Sequence, residues 1–180
     1  MGRFRTAALG IILSLGISIS DYVPLRAETP VGNPDSPEVI ALKWRCMQAL
    51  TAYRKGEYVK AEKLLDNVLE EEKDFHTAHL VYAQMLMVWG LEKKNEKDFK
   101  TADSMYIRGI EHYKVCLKYE PDSVSYNVNT GRLLARRAAI HLNKGLLRQA
   151  KPYLEKGIGD KKYGGVSKEW LDHIQKVMAH

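Results

Sequence analysis

From Tyr58 to Leu69 apolar side chains recur at Tyr58, Ala61, Leu64, Leu65, Val68 and Leu69, while Glu57, Lys60, Glu62 and Lys63 fall between them. This spacing predicts a helix with one apolar face. A second helical run precedes it, with Ile40, Trp44, Met47, Leu50 and Tyr53 as its expected apolar face, and Gly56 separates the two. A connection this short makes the helices antiparallel neighbours. Two helices alone leave apolar surface uncovered, so the chain must supply further hairpins.

The sequence that follows supplies them. Phe75, Leu80, Tyr82, Ala83, Leu86, Met87 and Trp89 predict a third helix that continues past Gly90, followed by the polar connection 92–100. A fourth is expected over about 98–119, with Ala102, Met105, Tyr106, Ile110, Tyr113 and Leu117 in the core and Pro121 ending it. Val124, Val128, Leu133, Leu134, Ala138 and Leu142 mark the fifth; Gly145 punctuates, and Leu146, Leu147, Ala150, Leu154 and Ile158 mark the sixth. The glycine-rich stretch 157–165 reads as a flexible joint. Beyond it Trp170, Leu171, Ile174 and Val177 predict a short helix that covers the open end of the stack.

Residues 1–27 differ in kind. Arg3 and Arg5 precede an apolar run from Ala7 to Ile19, the pattern of a secretory signal peptide, with Leu25 and Ala27 before a cleavage point near Glu28. The run is short for a membrane span, which takes about 20 residues. An uncleaved anchor and an internal apolar helix are the alternatives. Residues 28–37 hold three prolines and predict an exposed leader, with Ser36 as helix cap and Pro37 in the first turn, so that 38–180 forms the helical domain. Export implies a periplasmic or secreted protein.

Removal of 1–27 takes away Arg3, Arg5, Arg26 and Asp21 and lowers the formal charge from +6 to +4. The positive surplus belongs to residues 123–180, with 11 Lys/Arg against 4 Asp/Glu, whereas residues 38–122 carry 14 against 15. An acidic partner or an anionic membrane surface suits the C-terminal part, and ordinary solvated basic helix surface is the simpler reading. Nucleic acid is not expected, since no recognition motif accompanies the charge. Cys46 and Cys116 fall on apolar helical positions, compatible with a bridge or with two buried free thiols.

The segment AYRKGEYVKAEKLLDNVLEEE, residues 52–72, resembles the second half of a tetratricopeptide repeat (TPR): Tyr53, Gly56, Tyr58, Ala61, Leu65 and Val68 stand at the pattern's aromatic, glycine, small and large apolar positions. Partial matches lie at Tyr113, Cys116, Leu117 and Pro121, and at Gly145, Leu147, Ala150, Leu154 and Gly157, preceded by Gly131 at the close-packing position. The family repeats every 34 residues. Here the turn after Gly56 is expected near 104 and the next at Gly145, a stretched and uneven register. The resemblance implies an all-α, TPR-like stack of about three antiparallel hairpins with a C-terminal capping helix.

It also implies a scaffold that binds protein partners on its first helices. Carried over residue by residue, that surface comprises Arg45, Gln48, His79, Tyr82, Leu86, Asn127 and Leu134, with Trp170 as a docking point at the capped end. The function so implied is an exported adaptor or assembly factor; a permanent structural subunit of an envelope complex is the alternative. No catalytic motif or phosphate-binding glycine loop occurs, and neither a cofactor nor an enzymatic activity is expected. His76 and His79 share a helical face without a third ligand at metal spacing, and read as polarity at a helix start. Glu70, Glu71, Glu72 and Asp74 read as a solvated acidic rim.

Overall fold

A computed structural model describes residues 35–179. The signal peptide expected over 1–27 and most of the leader lie outside them. The described residues form seven helices and no strand: α1 Pro37–Arg54, α2 Tyr58–Glu71, α3 His76–Asn95, α4 Phe99–Tyr119, α5 Val124–His141, α6 Lys144–Glu155 and α7 Gly164–Ala179. None is long and apolar enough to cross a membrane. The Ser36 side chain accepts from the Val39 N–H at 3.3 Å and Pro37 opens α1, as the sequence predicts.

Consecutive helices pack as pairs, α1 with α2, α3 with α4 and α5 with α6, and the pairs stack through α3, α4 and α5 in a helical-repeat-like architecture. One turn closes all three pairs. Gly56, Lys97 and Leu142 each take a left-handed conformation, with φ of 77°, 65° and 48°. The next N–H then reaches back five residues: Glu57 to the Ala52 carbonyl at 3.0 Å, Asp98 to Lys93 at 2.9 Å and Asn143 to Ala138 at 3.0 Å. This is the glycine-type helix ending, yet glycine fills only the first. The turns therefore fall at 97 and 142 and not at the positions near 104 and at 145 expected from the register; Gly145 lies inside α6.

The links between pairs repeat as well. Phe75 N–H donates to Glu72 O and Ser123 N–H to Glu120 O, each at 3.1 Å. The link to α7 differs from both. In place of a flexible joint, Asp160 Oδ1 accepts from the Lys162 and Tyr163 N–H groups at 2.8 Å, and the Tyr163 hydroxyl donates to Ser125 Oγ at 2.9 Å.

Two apolar cores result, and α3 is the wall between them. Val81, Met85, Leu86 and Val88 join α1 and α2 in the first; Leu80, Ala83 and Met87 join α4 to α7 in the second. Ile174 closes the second core from α7, with Trp170, Leu171 and Met178 half-buried beside it. Cys46 belongs to the first core and Cys116 to the second, both as buried free thiols, and burial pushes the Cys46 thiol up to about 12.

The face expected of α1 is only partly the buried one. Val39, Leu42, Cys46, Ala49, Leu50 and Tyr53 point inward, while Ile40, Trp44 and Met47 are 54%, 64% and 37% exposed. The buried face includes the small Cys46 and Ala49, and the bulkier stripe lies outside.

Two substitutions test this packing. A Cβ at Gly131 would stand 2.7 Å from Leu154 Cγ and 3.1 Å from the Ala150 carbonyl. Gly131→Ala should therefore lower stability by about 2 kcal/mol through overpacking of α5 on α6, read as a drop in the urea midpoint. Leu142 holds a left-handed backbone and is 89% exposed, so it pays conformational cost without packing in return. Leu142→Gly should raise stability by about 1 kcal/mol; an unchanged or lower midpoint would contradict the assignment of that turn.

Candidate interaction surface

The residues expected to form a binding surface divide sharply once the chain is folded. His79, Tyr82, Leu86, Asn127 and Leu134 are buried, whereas Gln48 is exposed and Arg45 and Trp170 are partly so. The buried five are occupied within the chain.

His79 and Asn127 perform one structural task in successive hairpins. His79 Nε2 lies 3.0 Å from the Lys73 carbonyl, and Asn127 Nδ2 donates to the Pro121 and Ser123 carbonyls at 3.0 and 2.9 Å. Each fastens the link that precedes its helix, six residues upstream. These bonds are half-buried, and each gives a loop carbonyl at the rim of the stack a donor from the helix that follows.

The bond from His79 fixes its tautomer. A carbonyl only accepts, so Nε2 carries the proton and neutral Nδ1 is left as an acceptor. It faces His112 Nδ1 at 2.8 Å, which must donate. Tyr82 stacks on the His112 ring at 4.3 Å, donates to Asp66 Oδ1 at 2.8 Å and accepts from Arg108 at 2.8 Å. Arg108 also holds Glu62 on α2. The six side chains tie α2, α3 and α4 into one polar seam, which neither helical period nor motif spacing could assemble from three separate segments. His76, expected as surface polarity, is buried edge-on against Tyr119, with Glu120 Oε1 3.7 Å away.

Burial lowers the pKa of all three histidines, to about 3 for His112, where His79 and Arg108 add to the effect. Around His79, the Lys73 carbonyl and Asp74 oppose the shift and Lys118 reinforces it. Among the described residues no group of three or more His, Cys, Asp or Glu could hold a metal ion.

The positive surplus of the C-terminal part is also smaller at the surface than its sequence suggests. Arg132 and Arg136 are buried on α5, and burial together with Arg132 lowers the pKa of Arg136 to about 10. Arg137 pairs with Asp103 at 2.8 Å. On α1, Arg45 makes a two-pronged ion pair with Glu71, so the acidic rim at the end of α2 has one internal partner. Glu70, Glu71 and Asp74 are otherwise exposed, as expected.

Among the described residues, the outer side of α1 is open along three large apolar side chains. Ile40, Trp44 and Met47 follow one another at intervals of four and three residues, with exposed Gln48 and Thr51 beside them. Trp44 was legible as apolar, but its exposure depends on which neighbours exist. No family model, no curated protein and no solved structure matches the chain.

The histidine seam makes a pH dependence that can be measured. A histidine with a lowered folded pKa binds fewer protons when folded, so its stabilising contribution is complete above about pH 6.5 and is lost as pH falls towards the folded value. Between pH 7 and 5 the urea midpoint should fall, with about 1–2 kcal/mol traceable to His112. His112→Gln keeps a donor towards His79 and does not titrate, so it should flatten that slope; an unchanged slope would assign the acid sensitivity elsewhere.

Proposed function

We propose that this chain is an exported, TPR-like adaptor or assembly factor that holds a protein partner on the outer face of its first helix. The observation that carries this reading is the contrast between α1 and α3. Both are apolar on two sides; among the described residues α3 has both sides covered, whereas α1 has only one. A helix built for burial on two sides and covered on one presents a natural binding stripe. Support for the TPR-like character comes from the 52–72 motif, the thrice-repeated turn and the twice-repeated link. Support for export comes from Arg3, Arg5 and the apolar run 7–19.

This departs from the surface that the resemblance alone implies, because His79, Tyr82, Leu86, Asn127 and Leu134 are already committed inside. Trp170 belongs with them in part: it is half-buried against the second core and has His173 edge-on at 6.2 Å.

Capture of the tagged full chain from solubilised envelopes, with Trp44→Ala in parallel, tests the reading. An adaptor recovers a partner that a high-salt wash depletes and that Trp44→Ala loses at least tenfold. Stoichiometric recovery that survives high salt marks the permanent structural subunit instead. Equal recovery by the variant removes the role of α1.

A further inference from the structure

Charge around the α1 stripe narrows the kind of partner it fits. At about 100° per residue, Ile40, Trp44, Met47 and Thr51 lie within a narrow sector of the helix surface. Lys43 stands along one edge, and Arg54 and Lys55 stand at its C-terminal end, half-exposed in the first case and exposed in the other two. The acidic residue of α1, Glu38, lies about 200° from Ile40, on the far side of the helix. Arg45 is turned to Glu71. The stripe is thus an apolar strip with basic side chains along one edge and at its C-terminal end, and Glu57 beyond them is paired with Lys60.

Size and symmetry separate two occupants. The exposed parts of Ile40, Trp44 and Met47 amount to on the order of 300 Å², well below the roughly 800 Å² per partner of a stable dimer. A second copy would pair α1 with its own antiparallel image about an axis near Trp44. That arrangement sets Lys43 beside Lys43 of the other copy, a like-charge contact in a desolvated interface. A single amphipathic helix needs less area and meets neither objection, provided the residues flanking its apolar face are acidic.

We infer that the Ile40–Trp44–Met47 stripe is a docking site for one amphipathic helix of a partner protein, whose apolar face is flanked by glutamate or aspartate. The inference rests on the adaptor reading and adds the chemistry of the partner. Trp44 is the anchor, as the largest exposed aromatic at the centre of the stripe. Lys43, Arg54 and Lys55 select the sign of the flanks and speed encounter.

The probe is a fluorescein-labelled peptide about three heptads long, with leucine at a and d and glutamate at e and g, which repel self-pairing. Its lysine-flanked counterpart is the control, and binding to the full chain is followed by anisotropy at low and high salt. The glutamate peptide should bind at least tenfold more tightly than the lysine peptide, and the difference should shrink with salt. Trp44→Ala should weaken it at least tenfold, and the pair Lys43→Glu with Lys55→Glu should invert the preference; helicity by circular dichroism should stay constant, since these side chains are outside the core. Equal binding of the two peptides, absence of binding, or indifference to Trp44→Ala overturns the inference. So does a dimer in sedimentation equilibrium that Ile40→Asp dissolves, which gives the face to a second copy. If envelope capture still recovers a partner that Trp44→Ala releases while the glutamate peptide fails, the adaptor reading stands and the acidic helix falls.

Discussion

Everything in this molecule leans on α3. It is buried around nearly its whole circumference, and the two apolar cores meet across it. A helix in that position can carry few polar groups, because burial without a partner costs free energy; the His76 ring nitrogens and Thr77 Oγ1 at its start have no hydrogen-bond partner among the described residues. His79 and Tyr82 find partners in the Lys73 carbonyl, His112, Asp66 and Arg108. The seam that results joins three helices from two hairpins and gives the stack a directional, polar connection that apolar contact alone does not supply. Its cost is a set of histidines that must stay neutral.

The backbone repeats more faithfully than the residues do. Gly56, Lys97 and Leu142 have little in common chemically, yet they close three hairpins with one hydrogen-bonding pattern. Lysine and leucine accept a left-handed backbone there at a cost of about 1–2 kcal/mol, which the packing of each helix pair over its full length outweighs. His79 and Asn127 show the same economy of form, since an imidazole and a carboxamide both present one N–H to a carbonyl six residues back. A repeat held by geometry and not by identity leaves little of itself in residue spacing.

The same logic explains which surface is left for a partner. Helices inside the stack spend their apolar and polar groups on one another, and two arginines of α5 are drawn in with them. Where the described stack begins, a helix of interior composition meets solvent at Ile40, Trp44 and Met47. The outer stripe of α1 is therefore a consequence of position in the stack as much as of sequence.

Helix positions were legible because their causes are local. Apolar periodicity, the Ser36–Pro37 start, the stop at Pro121 and the breaker at Gly56 each act within a few residues, and the observed helices follow them. The turns at Lys97 and Leu142 were not legible, because nothing in either side chain announces a left-handed backbone. Nor could spacing tell that His76, His79 and His112 are buried, or bring His112 to His79 across 33 residues. Sequence alone thus determined an all-helical chain of apolar-faced hairpins with a terminal cover. Tertiary structure decided which face of α1 is buried, which polar residues become internal fasteners and where Trp44 is left to solvent. Local rules say that a surface is apolar; only the neighbours packed around it say whether that surface is covered.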